Sequence, residues 1–243
     1  MNILILGGTS EARQLAGRLV AMGHKVTTSL AGRTQDPILP EGGLRMGPFG
    51  GIAGLNAYLR AAKVDRLIDA THPYAGQISV NAVAAAALTG IKLVRYMRKP
   101  WTQKPGQNWT IAGTAQEAAD SLPSSATVLL TTGHAGLETY LERDDCFFLV
   151  RVIEAPGMDL PRHAQILQTR PPYNVEDEMA LMRRHEITHL ISKNSGGAQT
   201  SAKLDAAQQA GVRVIMIARP HYGPALEVDS IEAALSALDV EAV

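Results

Sequence analysis

Short apolar runs of strand length alternate with amphipathic stretches of helix length along almost the whole chain, and few architectures accommodate that rhythm. Strand-helix-strand units that bury both faces of a mostly parallel sheet are the standard solution. The pattern predicts strands at 2–6, 25–31, 65–70 and 91–96, helices at 10–22, 52–62 and 76–89, and a Pro/Gly-rich loop over 36–51. It lapses between Arg98 and Trp109, in RKPWTQKPGQNW, where two prolines and a glycine suggest a crossover between domains. Beyond it the rhythm resumes, with strands at 109–112, 126–131, 146–152, 188–192 and 213–217 and helices at 114–121, 136–143, 174–185, 199–210 and 229–239. The expected fold class is therefore α/β, with two Rossmann-like lobes and a cleft between them. The expected domains are 1–98, carrying the N-terminal nucleotide-type turn, and 99–243.

Composition removes several function classes. Twenty-three Lys and Arg balance twenty-three Asp and Glu, so no net field recommends nucleic acid or an anionic membrane as partner. A single cysteine, Cys146, excludes an intramolecular disulfide and a cysteine-rich metal site, and suits a small core position in a reducing cytosol. The opening Met1-Asn2-Ile3-Leu4-Ile5-Leu6 lacks a basic flank and breaks at Gly7-Gly8, so it reads as a strand and not as a signal peptide. The apolar stretch from Ala82 to Leu88 is too short to span a bilayer. A cytoplasmic protein without a membrane segment is expected. His185 and His189 are four apart, but a strand begins between them and no third ligand is near, so no metal site is expected.

Three strand ends in the first half carry polar groups suited to a ligand. The first is ILILGGTSEA, where glycines allow a pyrophosphate to approach the backbone and the following helix offers N–H groups and a positive dipole end. Gly7, Gly8, Thr9 and Ser10 are the candidates there. The plainer reading is an ordinary turn with Ser10 capping the helix. The second is TTSLAGR, which places no acid at the strand end but offers Ser29 and Arg33, a hydroxyl and a planar fork suited to a 2′-phosphate, or else a solvated loop. The third is DATHPYA, where Pro73 restrains His72 and where Thr71, His72 and Tyr74 stand at the edge at which open α/β sheets bind ligands.

Five cations and no acid lie between Lys92 and Lys104. Arg95 and Arg98 are suited to bidentate carboxylate binding, and Trp101 offers a flat apolar face, although a solvated basic linker has the same composition. In the second half, Thr131-Thr132-Gly133-His134 and Ser192-Lys193-Asn194-Ser195-Gly196-Gly197 each follow a strand and precede a helix. Lys193, Ser195 and Gly196 are candidates for a substrate anion, with the choice between cofactor and substrate open. SKNSGG is not a phosphate-binding loop of nucleotide hydrolases, because its lysine precedes the glycines.

Taken in order, GGTSEAR, SLAGR, DATHPYA, the R-x-x-R-x-P-W of Arg95, Arg98, Pro100 and Trp101, and SKNSGG resemble the motif series of the precorrin-6A reductase and cobalt-precorrin-6A reductase family. The resemblance implies cobalamin biosynthesis, with NADPH giving hydride to C19 of the precorrin-6A macrocycle and a proton reaching C18. It implies NADPH held at Gly7–Ser10, Ser29, Arg33 and Thr71. His72 and Tyr74 would then serve the reacting edge, and Arg95, Arg98, Trp101, Lys193, Ser195 and Gly196 the carboxylate-bearing macrocycle. Whether the ring carries cobalt stays open, and a monomer suffices. Two other readings remain: another NADP-dependent reductase on this fold, without the Tyr-x-x-x-Lys pair of short-chain dehydrogenases, or an NADP-sensing module.

Overall fold

The computed structural model describes residues 1–32 and 37–238. Met1–Lys99 and the chain from Pro220 onward form one compact unit, and Pro100–Arg219 forms the other. The first unit contains β1 (Asn2–Leu6), α1 (Ser10–Ala21), β2 (Lys25–Leu30), β3 (Gly43–Met46), α2 (Gly51–Ala61), β4 (Arg66–Asp69), α3 (Gly76–Thr89) and β5 (Lys92–Tyr96). The second contains β6 (Trp109–Ala112), α4 (Ala115–Asp120), β7 (Thr127–Leu130), α5 (Leu137–Leu141), β8 (Phe147–Val152), β9 (Ala164–Gln168), α6 (Val175–Arg184), β10 (His189–Lys193), α7 (Ala202–Ala210) and β11 (Arg213–Ile217). The chain then returns to the first unit as β12 (Leu226–Val228) and α8 (Ile231–Ala237).

Each unit has a six-stranded sheet, in the orders β12-β5-β4-β1-β2-β3 and β6-β11-β10-β7-β8-β9, with every neighbouring pair parallel. The mostly parallel α/β expectation holds. Its second domain does not run from 99 to 243, because β12 hydrogen-bonds beside β5, with Glu227 opposite Arg95, and α8 covers the first sheet.

Alternation along β1 shows how the sheet is buried. Ile3 and Ile5 join Leu15 and Leu19 of α1 and Leu235 of α8, while Leu4 and Leu6 join Leu55 and Leu59 of α2 and Ala82 and Ala85 of α3. Both faces are dry, so β1 reads as an unbroken apolar run. Each such large side chain contributes about 1.5–3 kcal/mol of burial free energy. Three strands escaped the sequence pattern: β3 lies in the expected loop at 43–46, and β9 and β12 fell between expected elements. All three are edge strands with half-buried or exposed side chains, which leaves no apolar run to detect.

Candidate active site

In the first sheet the strand order reverses between β1 and β4, the place where open α/β sheets leave a crevice beyond the carboxyl ends of their strands. The Gly7–Ser10 turn and the Thr71–Tyr74 loop meet there. Gly7 donates its N–H to the Ser29 carbonyl at 2.9 Å, and the Thr9 hydroxyl donates to the Ala70 carbonyl at 2.8 Å. A Cβ on Gly7 would stand 2.6 Å from Thr28 Cγ2, so this position is glycine for packing. Gly8 differs: its φ is +114°, and nothing lies within 4 Å of where a Cβ would sit. The turn has open space and a left-handed backbone at the point where a ligand would approach.

The start of α1 departs from expectation in two details. Thr9, not Ser10, is the helix cap, accepting from the Ala12 N–H at 3.1 Å. Its single hydroxyl proton is spent on Ala70, so Thr9 is no donor to a ligand. Ser10 donates to the Glu11 carboxylate at 3.0 Å, and Arg98 reaches the other oxygen of that carboxylate at 3.4 Å. Arg98 thereby offsets an acid in the first turn of the helix and sits close to the glycine turn.

Beneath this edge one row of residues crosses all six strands: Arg45, Ser29, Leu6, Asp69, Arg95 and Glu227. Its charges alternate. Arg95, placed by the sequence on substrate carboxylates, is corrected here: its side chain is 1% exposed and lies between Asp69 at 3.4 Å and Glu227 at 3.0 Å. A guanidinium that deep is retained only with carboxylates on hand. The Asp69 carboxylate also accepts from the Thr71 hydroxyl at 2.6 Å, and the Tyr222 hydroxyl donates to the Pro73 carbonyl at 2.7 Å. The His72 loop is thus tied to β4 at one end and to the returning C-terminal segment at the other. Burial, with Asp69 beside it, raises the Tyr222 pKa and keeps that hydroxyl a donor.

His72 is exposed, and its Nδ1 accepts the Tyr74 N–H at 3.3 Å. A neutral ring accepting at Nδ1 carries its proton on Nε2. The Tyr74 ring lies 5.8 Å away at 41°. Ser29 is buried and accepts from Arg45 at 3.3 Å. Arg33 lies outside the described residues.

The second sheet reverses between β7 and β10, and again the two flagged motifs meet. The Thr131 hydroxyl donates to the Ile191 carbonyl at 2.9 Å, and Lys193 Nζ donates to the Thr132 carbonyl at 2.6 Å. Asn194 exchanges hydrogen bonds with the Trp101 backbone at 2.8 and 3.0 Å, and the Trp101 indole donates to the Gly197 carbonyl at 3.1 Å. The Trp101 ring packs on the core of this unit. Gly196 is buried with φ +68°, and the Ser195 hydroxyl turns back onto Lys193.

Arg45, Asp69, Tyr222, Glu227 and Lys203 were not singled out from sequence. Asp69 lies inside the flagged DATHPYA motif, and the GLRM segment holding Arg45 had a strand-like alternation hidden among glycines and prolines. Lys203, in the first turn of α7, is buried 5.1 Å from the Trp101 ring and near the Arg151–Glu178 ion pair, which closes at 2.8 Å.

Strand order and glycine turn together define a doubly wound Rossmann-like protein, the class whose ligands sit where the strand order reverses. The family model described as Precorrin-6x reductase CbiJ/CobK matches residues 2–239, and the chain belongs to that family of oxidoreductases. It is 47% identical over 238 residues to the precorrin-6A reductase of Rhodococcus erythropolis, covering 97% of this chain and 96% of the relative. It is 29% identical to the cobalt-precorrin-6A reductase of Priestia megaterium over 91% and 92% of the two chains. A solved structure of a CobK precorrin-6A reductase superposes with a TM-score of 0.93 at 38% identity, over 100% of this chain and 99% of that one. Among the described residues no helix is long and apolar enough to cross a membrane.

Proposed function

We propose that this chain reduces metal-free precorrin-6A to precorrin-6B with NADPH, as a step of cobalamin biosynthesis. The open left-handed Gly8 at the head of α1 is the observation that carries the cofactor reading. A side chain there would occupy the space a pyrophosphate needs, and the first-turn N–H groups of α1 ahead of Ala12, which Thr9 caps, have no acceptor within the helix. Gly8 and the backbone of Ser10 hold the pyrophosphate, Gly7 keeps the strand end close-packed beneath it with its N–H on Ser29, Ser29 and Arg33 serve the adenosine side, and Thr71 serves the adjoining strand end. The bound cofactor supplies the hydride, which goes to C19 of the macrocycle.

The chain's own residues bind, orient and move one proton. His72, its ring fixed by the Tyr74 N–H at Nδ1, relays a solvent proton through Nε2 to C18, with water restoring the proton the ring gives up; Tyr74 is the alternative donor, and water alone can also serve. Arg98, Trp101, Lys193, Ser195 and Gly196 serve the carboxylate-bearing ring. Arg95 has no part in that set. Relatives named precorrin-6A reductase reach 47% identity against 29% for those named cobalt-precorrin-6A reductase, which supports the substrate without cobalt. A cytoplasmic monomer suffices for this chemistry.

The test is oxidation of NADPH, followed by its absorbance, on adding precorrin-6A or its cobalt form. Turnover with the metal-free ring and little with the cobalt form is expected. No NADPH oxidation with either ring would overturn the reading.

A further inference from the structure

Arg45 is a charged group near the carboxyl end of β3, separated from the glycine turn after β1 only by β2. It lies opposite Ser29 in the β2–β3 register. Ser29 in turn lies opposite Leu6, the last residue before that turn, and its carbonyl accepts the Gly7 N–H. In sheets of this order the ribose next to the pyrophosphate rests over the end of β2, where an acid selects an unphosphorylated ribose and an arginine accommodates a 2′-phosphate. Lys25–Leu30 and the two described residues after it contain no acid.

The guanidinium of Arg45 is set in place before any ligand arrives. It donates to the carbonyls of Gly47 at 2.5 Å and Pro48 at 2.8 Å, and it lies 3.7 Å from the Phe49 ring centroid. It also donates to Ser29 Oγ at 3.3 Å. A hydroxyl that accepts from an arginine directs its own proton elsewhere, so Ser29 is turned into a donor. An arginine engaged in this way still has N–H groups to spare, because it carries five donors. A fixed cation and an oriented hydroxyl on adjacent strands make a site for a dianionic phosphate ester.

We propose that Arg45, acting directly and through Ser29, is a specificity-determining residue that selects the 2′-phosphorylated dinucleotide. This rests on the cofactor reading above but adds a residue to it, and the two are separable by binding alone. The probes are 2′,5′-ADP and 5′-AMP, titrated calorimetrically into the full-length protein, its Arg45→Met and Arg45→Lys variants, and Ser29→Ala. The wild type is expected to prefer 2′,5′-ADP by about tenfold or more, as hydrogen bonds to a charged group imply. Arg45→Met should remove most of that preference while 5′-AMP binding stays within about twofold, and Arg45→Lys and Ser29→Ala should fall between. Equal weakening of both nucleotides in Arg45→Met means that Arg45 only supports the 47–49 turn, and overturns the proposal. So does an unchanged preference. If Arg45→Met does not fold, the Arg45→Lys and Ser29→Ala preferences decide in the same way. A wild type that binds neither nucleotide sinks the cofactor reading itself.

Discussion

The two sheets reverse their strand order in the same manner, yet the last rows beneath their carboxyl edges are unlike. In the first unit the row is Arg45, Ser29, Leu6, Asp69, Arg95 and Glu227; in the second it is Ile166, Val150, Leu130, Ile191, Ile215 and Thr110. The loops above them differ correspondingly. Above the charged row the Gly8 backbone faces open space, whereas above the mostly apolar row Asn194 is tied to the Trp101 backbone, and Lys193 and the Trp101 indole to the Thr132 and Gly197 carbonyls. One topology therefore carries two unlike edges: an open glycine backbone above a row that holds the buried Arg95–Asp69 pair, and a side-chain surface tied to carbonyls above an ordinary core.

The sharpest way to break this contrast is to cut the charged row. Arg95→Met leaves Asp69 buried and uncompensated, and should cost about 3–5 kcal/mol in chemical denaturation. A loss below about 1 kcal/mol would show that the row does not hold the first unit together. His72→Ala comes next, with an expected fall in kcat of about a hundredfold and unchanged NADPH affinity. Turnover within a few-fold of wild type, with substrate binding intact, removes His72 from the proton transfer.

The second unit provides the counterpart to Arg95. Lys203 is buried with its pKa pushed down to about 7, first by loss of hydration and then by the charge of Arg151, with Glu178 opposing. Between pH 7 and 10.5 the unfolded chain holds a proton on this lysine that the folded chain does not, so this group's contribution to stability rises with pH across that window. Lys203→Met should therefore be more stable than wild type at pH 7 by roughly 1–3 kcal/mol, an advantage that shrinks toward pH 10.5. A difference independent of pH would contradict the assignment. The smallest expected effect is on the side-chain surface: Lys193→Met should raise the KM for the macrocycle by about tenfold and leave NADPH affinity alone. The reverse result would hand the 192–197 loop to the cofactor.

How far the sequence could be read follows from the same contrast. The central strands and the glycine turn were legible because apolar runs ending in Gly-Gly state both burial and backbone freedom locally. The edge strands β3, β9 and β12 were not, since half-exposed strands have no pattern to display. The ends of the DATHPYA and SKNSGG loops were rightly flagged as polar groups at strand ends. Arg95 was misjudged because its partners are Asp69, 26 residues upstream, and the distant Glu227, and nothing local announces that the C-terminal segment returns to β5. Thr9 and Ser10 exchanged roles for a similar reason: only the tertiary contact with Ala70 decides which hydroxyl caps α1.

The most direct trial of the open-cradle account is calorimetric binding of NADPH to the wild type and to Gly8→Val, each checked by circular dichroism for a folded state. The cradle predicts clear binding by the wild type and a loss of at least about tenfold in the variant, since a β-branched side chain at φ +114° both strains the turn and fills its space. Equal affinity of the two folded proteins, or none in the wild type, would contradict it.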